Sequence, residues 1–550
     1  MTQTTGAPPE GSKLFQRPWT WWFMVATLVV IAAVRLRLLN FPLERDEGEY
    51  AYAGQLMLQG VPPYELAYNM KFPGTYAIYA LIMALFGQTP AGIHFGLLCI
   101  TTLTALMLYW LGEKMLDATA GAAAAAIYVV LAACPSMLGL AGHATHFCAF
   151  FATAGLCAMW SARQSGKPFA VAAAGLLFGT SILMKQQAAL IALWASFAWT
   201  VWCCRKTEMP PGKRLAALVI FGAGIVLPFA LCCLLLWHAG VFGKFWFWTI
   251  DYARQYASVV PLSYAPKLFW NSFVWVTAPG FLLWLLAAAG LVLLWLDERL
   301  KSSRWWLFGF CLAVAASVCP DFYFRKHYFL IALPAVALLA GVAVSGMNCW
   351  WAFKFETSRP GNWPVWFCVV AVAMTVFVNR EAWFLLTPLQ AAKAVYGDDP
   401  FGEAEIVAKF IQGNSTPADR MAVIGSEPEI YFLARRHSAT GYVYTYALME
   451  PQPFARRMQG EMIGEVEASV PEFIVYAANP FSWARQPDSD QRIFEWWNSY
   501  QTNYIRVALS DVVSHADSEF RFGIEDAGRY GKIRGLGLEV FQRKSGANHP

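Results

Sequence analysis

The stretch RDEGEYAYAGQLMLQGVPPYELAYNMKFPG, from Arg45 to Gly74, holds four acidic side chains, two basic ones and five tyrosines or phenylalanines, with long apolar sequence on either side. Hydrophobic residues make up 57% of the 550 and charged residues 14%, against about a quarter charged in an ordinary soluble domain. Crossing the hydrocarbon of a bilayer takes ~20 mostly apolar residues. Runs of that order recur from Thr20 to about Asn379 and then stop. The expected fold is a polytopic α-helical membrane domain followed by a C-terminal soluble α/β domain, with the quoted stretch in the first loop outside the bilayer.

About eleven spans are read on this basis: Thr20–Leu39, Gly92–Leu111, Ala118–Leu138, Phe147–Trp160, Phe169–Met184, Ala188–Cys204, Leu215–Trp237, Phe273–Leu296, Trp305–Cys319, Tyr328–Met347 and Trp363–Val378. Thr75–Phe86 is apolar but short, and is read as an interfacial or re-entrant helix. The domain plan is a cytoplasmic N-terminus (1–19), a membrane domain (20–380) with an external loop over 41–91, and an external domain (381–550). Lys13 and Arg17 ahead of the first span resemble the start of a signal anchor.

With the N-terminus inside, Lys114, Arg163, Lys167, Arg205, Lys206, Lys213, Arg214, Arg299, Lys301 and Arg304 fall in cytoplasmic loops, as the positive-inside rule requires. Arg35, Arg37, Arg45, Lys71, Lys185, Lys244, Arg254, Lys267, Arg325 and Lys326 fall on the opposite side, and each such exception calls for a reason. The net charge of +5 is too small and too dispersed to make nucleic acid a partner. All 12 cysteines lie between Cys99 and Cys368, mostly in apolar runs, and read as small buried hydrophobes. In the tail FGEAEIVAKFIQ and EPEIYFLARR read as helices, RMAVIGS and FIVYAA as strands. No nucleotide-binding glycine pattern follows any strand, so a soluble nucleotide is not the expected ligand of that domain.

In the opening stretch Asp46, Glu49 and Tyr50 stand at i, i+3 and i+4 and share one face of a helix. Carboxylates at the mouth of a membrane domain are costly to desolvate and mark function. Lys71 in NMKFPG is placed to meet a lipid-borne phosphate. Lys185 and Gln186 in ILMKQQAALIALW interrupt apolar sequence, and Arg325, Lys326 and His327 in DFYFRKHYFLIALPAVALLAG adjoin tyrosines able to stack on a sugar. His143 and His146 stand at i, i+3 and with Glu47 or Glu49 offer donors for a metal ion.

DEGEYA after the first span, KFPG before a short helix, LMKQQA, and RKHYFLIALPAVALLAG together resemble the bacterial members of glycosyltransferase family 39, which have the GT-C fold and are related to protein O-mannosyltransferases and to the lipid A aminoarabinose transferase. GSEPEIYFLARR in the tail is similar to bacterial members as well. The resemblance implies transfer of a sugar from a polyprenyl-phosphate donor to a lipid, glycan or protein acceptor at the outer face of a bacterial inner membrane. It makes Asp46 the catalytic aspartate, Glu47 the second carboxylate of the pattern, and Lys71 a contact of the lipid phosphate. GLAGHATHF departs from the pattern, placing His143 and His146 where relatives carry an acid or an asparagine.

A phosphate diester leaves as a stable anion without being protonated, so one carboxylate suffices, unlike glycoside hydrolysis. The expectation is therefore Asp46 as general base with inversion, donor phosphate on Lys71, Lys185, Arg325 and Lys326, and substrate contacts from Glu49, Tyr50, His327 and Tyr328. No cofactor is required; a divalent metal on His143 and His146 is admitted. The rival reading is a transporter or lipid flippase.

Overall fold

The computed structural model describes residues 18–354, 362–513 and 517–544. The expected cytoplasmic N-terminus, including Lys13 and Arg17, lies outside the described residues. The membrane domain is built from α1 (Pro18–Arg37), α2 (Arg45–Leu58), α3 (Gly74–Phe86), α4 (Pro90–Met115), α5 (Ala118–Ala132), α6 (Ala144–Ser165), α7 (Pro168–Met184), α8 (Ala189–Arg205), α9 (Pro211–His238), the short α10 (Phe242–Trp246) and α11 (Ala253–Ala257), α12 (Ala265–Thr277), α13 (Phe281–Leu296), α14 (Arg304–Ser317), α15 (Leu333–Lys354) and α16 (Trp363–Val378). Among the described residues six stretches are long and apolar enough to cross a membrane, and five further apolar helices are shorter. The chain is a multi-pass membrane protein.

Each of the eleven expected spans has a helix at its place. The span expected at Phe273–Leu296 is in fact the end of α12 joined to α13 through a 3₁₀ turn at Ala278–Gly280. At the centre stands α5, ATAGAAAAAIYVVLA, buried along almost its whole length and packed by α1, α4, α15 and α16. With lipid tails as apolar as leucine, close backbone packing of small side chains holds helices together, and an alanine helix permits it. The short apolar segment forms α3, 13 residues packed between α2 and α4.

Two of the basic residues expected opposite the positive-inside side, Arg35 and Arg37, have structural partners. Buried Arg35 donates to the carbonyls of Ala132 and Gly139 at 2.9 Å each, completing the open C-terminal end of α5. Arg37 likewise donates to Leu386 at 2.5 Å.

After α17 (Pro388–Tyr396) and α18 (Phe401–Gly413) the tail forms β1 (Arg420–Ile424), α19 (Glu429–Ala434), β2 (His437–Ser438), β3 (Phe473–Ala478), β4 (Tyr504–Val512), β5 (Ser518–Phe522) and β6 (Leu536–Arg543), with further helices between them. The sheet order is β2-β1-β3-β6-β4-β5. β1 pairs in parallel with β2 and β3, and the remaining pairs are antiparallel. Alternation of strand and helix early in the tail produces the parallel half, since parallel neighbours need a crossover between them.

Candidate active site

The polar stretch folds as α2 because it starts well. Glu44 is its N-cap and accepts from the Glu47 amide at 3.0 Å, and Asp46 and Glu47 occupy the first turn, where the helix dipole favours negative charge. Helical spacing then puts Asp46, Glu49 and Tyr50 on one side. Lys71 Nζ lies 2.7 Å from Asp46 Oδ1 and 2.8 Å from Glu49 Oε2, and 4.6 Å from the Tyr50 ring centre. The loop carrying Lys71 is tied down by Tyr64, whose hydroxyl donates to the Lys71 carbonyl at 2.6 Å, and by Gln186, whose amide donates to the Met70 carbonyl at 2.7 Å.

These groups open on a cavity of about 680 Å³ whose walls include Glu44, Asp46, Lys71, Lys185, Arg325 and Tyr444. Lys185 reaches it because α7 stops at Met184 and the backbone runs extended through Lys185 before a 3₁₀ turn. Its Nζ sits 3.7 Å from the Tyr328 ring centre, and among the described residues it makes no hydrogen bond or ion pair. Arg325 follows a loop in which Asp321, Phe322 and Phe324 all take left-handed backbone. Such conformations cost of order 1–3 kcal/mol each and cluster where geometry serves function. Asp321 secures the loop by accepting from the Tyr323 amide and the Tyr328 hydroxyl, both at 3.0 Å. Arg325 itself has no carboxylate partner among the described residues and touches the Tyr256 hydroxyl at 3.4 Å.

Electrostatics separate the acids. Burial alone would raise the Asp46 carboxyl, but the groups around it, the Lys71 ammonium foremost among them, together outweigh burial and hold Asp46 well below the usual carboxylate range. Glu44 is pushed well above that range by burial and by the neighbouring Asp46 and Glu47. Glu49 is raised by burial in spite of Lys71. Burial pushes the His143 imidazole down to about 4 and the Lys185 ammonium down to about 8.

The other expected site residues sort by place. Lys326, His327 and Tyr328 line the cavity with Tyr50. Lys326 stands 4.3 Å from the Trp275 ring centre, and His327 stacks on His143 at 4.2 Å. Glu49 is fully buried and reaches the centre through Lys71. Glu47 points away: it is fully buried and accepts from the Gly142 amide at 2.5 Å and faces His94 Nε2 at 3.2 Å. It therefore holds α2 against the turn that carries His143. Among the described residues the donor atoms that gather within 4.8 Å of one another belong to Asp46, His143 and His327, and His146 is not one of the group. Glu44, Asp321 and Tyr444 were not expected. Glu44 and Asp321 lie inside or beside the flagged motifs, whereas nothing local distinguishes Tyr444.

The arrangement is that of the GT-C fold. The solved ArnT of Cupriavidus metallidurans bound to undecaprenyl phosphate superposes with a TM-score of 0.57 over 95% of this chain and 98% of that one, at 14% identity. The archaeal oligosaccharyltransferase AglB of Archaeoglobus fulgidus, in complex with an inhibitory peptide and a dolichol-phosphate, gives a TM-score of 0.50 over 93% of this chain and 75% of that one, at 12% identity. In sequence the chain is similar to the undecaprenyl phosphate-alpha-4-amino-4-deoxy-L-arabinose arabinosyl transferases of Enterobacter sp. (strain 638), 25% identical over 351 residues, and of Edwardsiella ictaluri (strain 93-146), 26% identical over 283. These matches take in 59% and 48% of this chain and span 60% and 48% of the two relatives' lengths. No family model matches.

Proposed function

We propose that the protein is a membrane glycosyltransferase that moves a sugar from a polyprenyl-phosphate donor to a hydroxyl of a lipid, glycan or protein acceptor at the outer face of the bacterial inner membrane. The observation that carries the proposal is one cavity holding an ionised carboxylate, Asp46, together with two cations, Lys185 and Arg325, that have no carboxylate partner among the described residues. The fold shared with a protein solved with undecaprenyl phosphate, and the sequence likeness to transferases named for that donor, support the same reading.

In the reaction the acceptor oxygen attacks the anomeric carbon as the bond from that carbon to the phosphate oxygen breaks. The bonding pair leaves with the phosphate, and the acceptor's proton passes to Asp46. Direct displacement inverts the anomeric centre. Lys185 and Arg325 balance the departing phosphate, and Lys71 adds its third N–H, since two are engaged by Asp46 and Glu49. If a divalent cation takes part, Asp46, His143 and His327 are the residues that hold it. Both His143 ring nitrogens are buried without a hydrogen-bond partner among the described residues, which leaves a nitrogen free to bind a cation.

The test incubates purified protein in lipid nanodiscs with a panel of undecaprenyl-phosphate-linked pentoses and hexoses and an envelope extract, and follows products by mass spectrometry. Transfer to an extract component is expected. Vectorial movement of the labelled lipid in sealed vesicles, without transfer, would establish the flippase instead.

A further inference from the structure

We propose that the soluble domain supplies a positioning residue to the transfer centre, Tyr444, whose hydroxyl fixes the Asp46 carboxylate so that its other oxygen is left to receive the acceptor's proton. The inference rests on the reading of Asp46 as the base.

Among the described residues the Asp46 carboxylate takes side-chain hydrogen bonds from two groups, Lys71 Nζ at 2.7 Å and the Tyr444 hydroxyl at 3.4 Å, and both fall on Oδ1. Oδ2 faces the uncharged His143 ring, 3.8 Å from Nδ1. A carboxylate held by two donors on one oxygen cannot rotate freely, so Oδ2 is the oxygen offered to an incoming hydroxyl. Long geometry of this kind tightens when substrate closes the site. Tyr444 also lays its ring 5.6 Å from Lys71 Nζ, a second aromatic surface beside that of Tyr50.

Nothing in the position of Tyr444 is casual. Three residues before it, Gly441 accepts from the Tyr68 amide at 2.6 Å, and a Cβ at Gly441 would stand 2.1 Å from the Tyr68 ring, so only glycine lets the soluble domain come this close. One residue after it, the Thr445 amide donates to Ser426 Oγ at 2.9 Å and the Thr445 hydroxyl to the Ser482 carbonyl at 3.1 Å, all buried. Farther along the same segment, Glu450 accepts at 2.6 Å from the hydroxyl of Tyr252, which stands between α10 and α11 of the membrane domain. The segment is thus clamped on both sides of Tyr444, and its hydroxyl is delivered to Asp46 by the fold of the soluble domain.

The test measures Tyr444→Phe, Tyr444→Ala and Asp46→Asn beside the wild type, with an undecaprenyl-phosphate-linked sugar from the panel as donor and envelope extract as acceptor. Tyr444→Phe keeps the ring and loses the hydroxyl. Its kcat is expected to fall about tenfold, the scale of one hydrogen bond to a charged group, with donor KM within twofold and melting temperature unchanged. Tyr444→Ala is expected to raise donor KM as well, because the surface beside Lys71 is gone. Wild-type kcat in Tyr444→Phe, with Asp46→Asn inactive, overturns the proposal. So does a Tyr444→Phe protein whose loss of kcat comes with a lower melting temperature and a raised KM, the marks of a scaffold residue. An active Asp46→Asn protein removes the base itself, a separate failure.

Discussion

Lys71 and Lys185 are both cavity lysines, yet their surroundings give them different work. Lys71 lies between two carboxylates, which together hold its ammonium above the usual range against the opposing effect of burial. Its charge is already balanced, so its first effect is on Asp46. Lys71→Ala is expected to lower kcat and to shift the acid limb of the pH–rate profile to higher pH. The sign follows from the pairing: Lys71 depresses the Asp46 pKa, and its removal lets a proton bind at a pH where the wild type is still ionised. Lys185→Ala and Arg325→Ala are expected instead to raise donor KM, each by about 10- to 100-fold, the range for one hydrogen bond to a charged group, with kcat less affected. Asp46→Asn is expected to lower kcat by about 10²–10⁴, the usual contribution of a general base, with expression and melting temperature retained. Titration calorimetry with undecaprenyl phosphate and steady-state assays separate these outcomes.

α2 does two jobs because its two faces differ. One face carries Asp46, Glu49 and Tyr50 to the cavity; the other seats Glu47 on the Gly142 amide and packs Gly48 on α19. A Cβ at Gly48 would lie 2.5 Å from the Glu429 amide nitrogen. Backbone cannot yield as a flexible side chain can, so Gly48→Ala is expected to prise the soluble domain from α2. Limited proteolysis should then release that domain faster, and transfer should fall even though no cavity residue has changed. Glu47→Gln keeps the shape of the side chain but weakens its hold on Gly142 and His94. It is expected to slow transfer through displacement of the turn that bears His143, while undecaprenyl phosphate binding stays within twofold.

The membrane domain and the soluble domain meet over a buried, charged junction. Arg45 forms paired contacts with Asp399, the shorter at 2.8 Å, and reaches Glu427 at 3.4 Å, while the Ser438 amide donates to the Tyr52 hydroxyl at 2.7 Å. Beside them Glu429 is fully buried, and among the described residues no other side chain donates to its carboxyl oxygens. Burial, reinforced by Glu427, pushes its carboxyl well above the usual range. A group raised in this way favours the folded state below its unfolded pKa, near 4.3, and that advantage is lost as pH rises toward the folded value. Glu429→Gln is therefore expected to leave the melting temperature near pH 4 about unchanged and to raise it near pH 8, by the order of 1–3 kcal/mol in stability. A thermal-shift series across that range checks the sign.

How much of this molecule was legible along the chain follows from the reach of each interaction. Span positions, the shared face of Asp46, Glu49 and Tyr50, and the strand–helix alternation of the tail are set within a few residues, so composition and spacing were enough to read them. The partition of the acids was not. Asp46 and Glu47 are adjacent and chemically alike, and what makes one ionised in the cavity and the other an anchor behind it is contact with Lys71, 25 residues on, and with Gly142, 95 residues on. Tyr444 meets Asp46 across 398 residues. His327 joins His143 and Asp46 across 184 and 281 residues, a grouping that no local spacing signals. Charge balance and the direction of a side chain depend on which distant groups the packed chain brings within a few ångströms, and no local pattern encodes that.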